Sequence, residues 1–459
     1  MDYQEFLRRK RFSPVSCGHE PVTTNGMLFD FQRDLFRWSV RKGRAALFCD
    51  CGMGKTPMQL AWAHDVHKHT GGNVLILAPL SVAKQTRQEG GKFGVDVQVC
   101  ERQEDVRTGV NIANYEKLHH FDPAAFSGVV LDESSIIKHH TSKTRDALIE
   151  SFQRTPYRLA CTATPAPNDY MEIGNHAEFL GIMSRSEMLS MFFIHDGGDT
   201  AKWRLKGHGK RKFWEWVCTW AIMLRKPSDL GYPDCNFTLP PINYHHHVID
   251  QDGPQNGYLF AMPASTLAER RTARKESLEE RCRMAADLVN GSDGPWLVWC
   301  DLNAESELLS RMINGAVEVK GADSEQHKEK SLLDFAAGKV RALVSKPSIA
   351  GFGMNFQVCH KMAFVGLSDS FESYYQAVRR CYRFGQDHPV DVHVITHESE
   401  GNVVENIKRK EADALAMAES MVLNMADISS RDVKGSTVEK TEYRAASRIE
   451  LPRWMEATA

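Results

Sequence analysis

Nine short apolar runs, grouped in two series, leave this chain few folds to choose from. The first series is AALFCD from Ala45, VLILAP from Val74, VNIANY from Val110, VVLDES from Val129 and LACTATP from Leu159. The second is PWLVWCD from Pro295, VRALVSKP from Val340, MAFVGLS from Met362 and VDVHVIT from Val390. Many are rich in β-branched residues and apolar throughout, which fits strands buried on both faces, and helical patterns lie between several of them. Each series therefore predicts a parallel sheet covered by helices, giving an α/β fold of two lobes. With 459 residues the chain can give each lobe its own core.

Between the series, Ser184 to Pro241 changes character, with Trp203, Trp214, Trp216, Trp220 and the basic string KWRLKGHGKRK. This stretch reads as a mostly helical insertion on the first lobe. The expected layout is a first lobe over 1–245, its core at about 25–183 and its insertion at about 184–241. A second lobe follows over 246–425, entered through a charged helix-forming stretch from Ala264 to Asn290, and then a polar tail over 426–459.

Hydrophobic residues make up 42% and charged residues 25%, which excludes large-scale disorder. The formal net charge is −2, so any nucleic-acid contact must come from local patches rather than a global basic field. None of the 11 cysteines forms a Cys-x-x-Cys pair, which argues against a zinc ribbon. The start, MDYQEFLRRKRFS, lacks a secretory apolar run, and no stretch approaches ~20 apolar residues. The expected setting is a reducing cytoplasm, with free thiols and no membrane contact.

The sharpest motif is CDCGMGKT, Cys49 to Thr56, between the first strand and the helical PMQLAWAHDV. Gly52 and Gly54 let backbone N–H groups curl around phosphates, with Met53 between them. Lys55 would set a cation on the β- and γ-phosphates, and the Thr56 hydroxyl can ligate Mg²⁺. Cys49 stands where the general pattern begins with glycine.

LDESS, Leu131 to Ser135, ends another strand. Phosphoryl transfer needs one carboxylate on the metal shell and one to polarise water, so Asp132 is assigned to Mg²⁺ and Glu133 to the water. In CTATP, Thr162 and Thr164 are either ordinary strand-end residues or sensors of the γ-phosphate through the acidic pair.

In the second lobe, KPSIAGFGMN places Gly351 and Gly353 where backbone must approach nucleic acid or the lobe interface. QAVRRCYRFGQ sets Gln376, Arg380 and Arg383 near one helical face. They are either arginine fingers with a nucleotide-facing glutamine, or part of a solvated basic helix; Arg379 is read as solvated. KGHGKRKFWEW, Lys206 to Trp216, is either a phosphate-and-base contact or a solvated loop before a helix with core tryptophans. His245, His246 and His247 are consecutive, and neighbours on a strand alternate faces, so they do not read as one metal site. His139 and His140 read as surface residues.

In order, these segments resemble superfamily two helicases, most closely Swi/Snf-type DNA translocases and their phage and prophage relatives, over roughly Met27 to Thr396. The resemblance implies two RecA-like lobes. LFDFQRDLFRW resembles the adenine-reading segment, which gives Gln32 the adenine edge. APLSV from Ala78 and NYEKL from Asn114 look like nucleic-acid segments. DESSIIKHHTSKT and CTATPAPNDYMEI are similar to the acidic box and the coupling motif, with Lys138, Ser142, Asn168 and Glu172 matched. MLRKPSDL followed by LPPI looks like the family's Arg-rich helix end and the Leu-Pro link between the lobes. RRCYRFGQ is the most family-specific piece. Ser134 and Ser135 replace Ala-His, His139 replaces Asn, and Arg379 stands where an acid is usual.

The implied function is an ATP hydrolase that uses ATP and Mg²⁺ to pull itself along nucleic acid, with duplex DNA as the track. A phage-encoded member would work in the host cytoplasm. An RNA helicase, or a nucleotide-gated binding platform with little turnover, are the alternatives.

Overall fold

A computed structural model describes residues 17–79, 82–138, 141–167, 169–196, 199–234, 237–249, 277–350, 354–367, 370–398 and 401–434. Gly351, Gly353, His139, His140 and Asn168 lie outside these residues.

The first-lobe strands are β1 (Arg44–Cys49), β2 (Asn73–Ala78), β3 (Val97–Val99), β4 (Val110–Asn114), β5 (Phe126–Asp132) and β6 (Tyr157–Thr162). An antiparallel hairpin of β7 (Phe193–Asp196) and β8 (Asp199–Leu205) follows, then β9 (Ala221–Leu224). The second lobe holds β10 (Ile242–Ile249), β11 (Trp296–Cys300), β12 (Ala316–Val319), β13 (Ala342–Ser345), β14 (Lys361–Val365) and β15 (Val390–His397). The sheets run β3-β4-β2-β5-β6-β1-β9 and β10-β15-β14-β11-β13-β12, and every pairing within them is parallel.

The central strands of both sheets are buried on two faces because they are apolar at odd and even positions alike. In β1, Ala46 and Phe48 join a core with Phe179 and Trp220, while Ala45 and Leu47 join one with Leu35 and Trp62. In β11, Leu297 and Trp299 face one core of the second lobe, and Trp296 and Val298 face the other. A fully buried Leu, Val or Phe among these contributes about 1.5–3 kcal/mol. Consecutive strands joined by helical crossovers place the loops after β1, β5 and β6 at one end of the sheet, where a ligand crevice forms.

Three boundaries differ from the sequence expectation. The insertion is not mostly helical: besides the helices Arg185–Phe192 and Lys210–Cys218 it contains the β7–β8 hairpin, and β9 hydrogen-bonds to β1. Strand β10 pairs with β15, so the second sheet starts at Ile242, inside the span expected to close the first lobe. The stretch from residue 426 continues a helix, Gly401–Val433, that crosses back to the first lobe. Met421 and Met425 are buried in its core, Arg225 pairs with Glu419, and Trp38 Nε1 donates to Asp432 at 2.7 Å. Beyond residue 425, Ser429 and Val433 are buried as well, so the helix stays packed on the first lobe past the expected end.

Candidate nucleotide site at the lobe interface

The phosphate loop leaves β1 at Cys49 and enters the helix Lys55–Thr70. Gly54 is the helix N-cap with φ 77°, and a Cβ there would collide with Gln32 Nε2. Gly52 has φ 88°, and its Cβ would come within 2.9 Å of Phe384 N, from the second lobe. Side chains larger than hydrogen are thus refused on both conformational and steric grounds. No side chain caps this helix, which leaves first-turn N–H groups for an anion. Lys55 Nζ donates to the carbonyls of Cys49 (2.9 Å) and Asp50 (3.4 Å). Burial opposes its charge, yet Cys51, Glu133, Cys49 and Asp50 more than offset this and hold its pKa above the ordinary value. Thr56 sits half-buried on the first turn.

Gln32 is occupied by the protein itself. Its Nε2 donates to the Met53 carbonyl at 3.0 Å, and its Oε1 accepts from Phe29 N at 3.1 Å. It therefore braces the loop from behind, beside an aromatic group of Phe29, Phe237 and Phe384.

Strand β5 carries Asp132 to its end, where Oδ1 accepts from Gln59 Nε2 at 2.8 Å. Burial pushes the Asp132 carboxyl up to about 6, against the Gln59 hydrogen bond and with help from Glu133. Glu133 is the only non-glycine among the described residues with positive φ, at 58°. Backbone strain of this kind costs about 1–3 kcal/mol and persists where surroundings enforce it. Here Thr162 donates to Glu133 Oε1 at 2.7 Å and Ser135 donates to the same oxygen at 3.2 Å. Ser134 is buried, with its Oγ 3.1 Å from His176 Nε2 on the helix Ile173–Leu180. Burial drops the His176 pKa to about 4, so this imidazole is neutral at pH 7.

Across the cleft, the helix Phe371–Val378 stops before the arginines. Arg379, Arg380 and Arg383 therefore leave a tight turned segment in different directions and do not share one helical face. Arg380 points back into its own lobe, donating to Gln376 O (3.0 Å) and Met354 O (3.3 Å). Arg383 lies against Gly52, and burial and then Arg380 lower its pKa to about 10. Its Nε and both amide atoms of Gln376 are buried without hydrogen-bond partners. Gln386 ties the segment down through bonds to the carbonyls of Gln357, Cys359 and Cys381.

Arg379, expected to be solvated, is instead half-buried at the interface, where Nη2 donates to Asp50 Oδ2 at 3.0 Å. The Tyr375 hydroxyl donates to Asp50 Oδ1 at 2.7 Å. A second link joins Lys138 to Glu372, whose other oxygen accepts from Thr164 Oγ1 at 3.3 Å. Sequence reasoning missed Asp50, Glu372, Tyr375 and His176. The only written signal was an acid inside the phosphate loop together with a base where the related sequences carry an acid.

These groups fit ATP and magnesium. The uncapped helix start and Lys55 suit phosphates, Thr56 and Asp132 would hold the cation, and the unpartnered Arg383 Nε and Gln376 amide await a polar ligand. Among the described residues no group of three or more His, Cys, Asp or Glu is arranged for a metal. His245, His247 and His393 instead stack along β10 and β15.

Beside Glu133 lies a cleft of about 700 Å³ between the lobes, lined by six glutamates and four lysines. Lys84 in it pairs with Glu329 and Lys138 with Glu372. The basic string of the insertion divides cleanly: Lys210, Arg211 and Lys212 are exposed, whereas Trp214, Trp216 and Trp220 are core.

Residues 31–192 match the SNF2-related domain, and residues 280–385 match the helicase conserved C-terminal domain. Among solved structures, the Sulfolobus solfataricus SWI2/SNF2 ATPase core in complex with dsDNA aligns with 92% of this chain and 99% of its own. The identity is 16% and the TM-score 0.40. No curated protein matches the chain.

Proposed function

Because this chain belongs to the SNF2-related, helicase-type ATPases, we propose that it is a motor that hydrolyses ATP between its lobes and tracks along duplex DNA. The observation that carries this reading is the reach of the second lobe into the phosphate loop of the first. Arg379 meets Asp50 there, and Phe384 and Arg383 lie against Gly52. A cycle that parts and rejoins these contacts would convert hydrolysis into relative motion of the lobes.

In this reading Lys55 and the N–H groups of residues 52–56 hold the triphosphate, with Thr56 and Asp132 on a magnesium ion that neutralises phosphate charge. Glu133, fixed by Thr162 and Ser135, orients the attacking water. Arg383 stabilises charge as it develops on the transferring phosphoryl group. Thr164 and Lys138 pass the state of that site to Glu372. The carboxylate-rich cleft would repel phosphates, so the duplex is carried along the rim and met by exposed cations such as Lys210, Arg211 and Lys212. A reducing cytoplasm suits the ten described cysteines, all unpaired thiols.

The test is steady-state ATPase activity alone and with duplex DNA, single-stranded DNA or RNA. Duplex DNA should stimulate most. Stimulation by RNA and not by DNA would overturn the choice of track.

A further inference from the structure

Asp50 is an awkward residue for a phosphate loop. It directly precedes the segment that would hold a polyanion, and its side chain is only 10% exposed. Its Oδ1 accepts from the N–H of Cys51 at 2.6 Å, which fixes the carboxylate at the base of the loop. Within the first lobe, the cation nearest in the chain is Lys55, whose ammonium bonds to the Asp50 carbonyl and not to its carboxylate. The groups that close on the carboxylate come from the other lobe: the guanidinium of Arg379 and the hydroxyl of Tyr375. Arg379 is itself held between two aromatic rings, 5.1 Å from the centroid of Tyr375 and 5.2 Å from that of Tyr382. Its position is built, not incidental.

We propose that Arg379 is a positioning residue that acts through Asp50 and makes the affinity of the phosphate loop for nucleoside triphosphate depend on lobe closure. With the lobes together, the Asp50 charge is cancelled and the loop presents Lys55 and its N–H groups to the phosphates. With the lobes apart, an unpaired carboxylate stands beside the triphosphate and repels it. Nucleotide binding and lobe closure then favour each other by the same factor, as linkage requires. Arg379 differs in this from Arg383, which faces the loop without a carboxylate partner and is the candidate for contact with the phosphoryl group. The inference rests on the reading of the phosphate loop as the nucleotide site.

The experiment measures the Kd of a fluorescent ATP analogue together with KM and kcat for ATP, in the full chain. The variants are Arg379→Gln, Arg379→Lys, Asp50→Asn and the double variant Asp50→Asn/Arg379→Gln. The expected result is a Kd and KM raised about tenfold or more in Arg379→Gln, with kcat at saturation within about threefold of the parent. Asp50→Asn/Arg379→Gln should regain most of the lost affinity, because the repulsive charge is gone. Arg379→Lys, which keeps the cation, should stay near the parent value. A double variant that binds as weakly as Arg379→Gln overturns the proposal, as does a loss confined to kcat, which would mark Arg379 as a finger. If Arg379→Gln fails to fold, Asp50→Asn and Arg379→Lys still decide it: weakened binding in either contradicts charge cancellation. Absence of analogue binding by the parent protein would instead overturn the nucleotide reading itself.

Discussion

The hydroxyl of Thr162, at the end of β6, donates to Glu133 Oε1 at 2.7 Å, joining the coupling strand to the residue whose backbone is held at φ 58°. Thr162→Val keeps the shape of this fully buried side chain and removes the bond. A hydrogen bond to a charged group is worth about 1.5–3 kcal/mol, so kcat should fall about ten- to a hundredfold with KM for ATP little changed. Glu133→Gln should go further, binding ATP without turning it over. Rapid-quench measurement of bound ATP distinguishes the two, and equal, mild effects would remove Glu133 from the role of orienting water.

Asp132 links catalysis to stability. Burial lifts its carboxyl from 3.8 to about 6. An acid whose pKa rises on folding destabilises the fold once ionised. The penalty is absent below pH about 3.8, grows between there and pH about 6, and is complete above that. Asp132→Asn should therefore raise the Tm of the nucleotide-free protein by a few degrees at pH 7.5, while ending Mg²⁺-dependent turnover. The gain should shrink as pH falls from 6 towards 4. A Tm difference that ignores pH would show that desolvation of the charge is not its source.

The two arginines expected to act alike should separate. Arg383→Ala removes the guanidinium beside Gly52 and should cut kcat by about 10³ or more with nucleotide affinity retained. Arg380 instead anchors the carbonyls of Gln376 and Met354, so Arg380→Ala should first appear as a lower Tm. Lys55→Ala provides the reference, abolishing turnover with the fold intact. Circular dichroism melts beside single-turnover rates make the comparison. Reversed phenotypes would mean that Arg380 turns outward when nucleotide binds.

For the track, Lys210, Arg211 and Lys212 changed together to Ala should weaken duplex binding at every sequence. The slope of log K against log salt should become shallower by about one unit for each phosphate that is no longer neutralised. Arg211 is already paired with Glu215, so the slope should change by about two units rather than three. Trp214→Ala should unfold the insertion, since that ring is core and has no face for a base. The parent protein should displace a triplex-forming strand with ATP while opening a forked duplex weakly. Efficient fork unwinding would replace the tracking model by a helicase.

All nine apolar runs of the sequence are strands, because strands buried on both faces write themselves as continuous hydrophobic segments. Four other strands of the two sheets went unread for opposite reasons. Strand β10 is largely exposed and carries three histidines, β3 and β12 are short, and β9 is hidden among the tryptophans of the insertion. The phosphate loop and acidic pair were legible because their chemistry is local in sequence. The interface was not: Arg379 reads as solvated only if the helix runs on, and the helix ends at Val378. A residue 329 positions away supplies its partner, a distance no periodicity spans.

The long helix Gly401–Val433 gives the first lobe a late completion. Its Met425 carbonyl lies 4.0 Å from Cys218 Sγ, 207 residues earlier in the chain, and Asp432 reaches Trp38 across 394. On a ribosome adding about 5–20 residues per second, the cap over Cys218 would arrive roughly 10–40 s after the surface it covers. During that interval the second lobe is synthesised while the first still shows an apolar seam to its surroundings. The lobe that begins first is thus finished last, and a nascent chain stalled before Met421 would be a substrate for chaperones rather than half a motor.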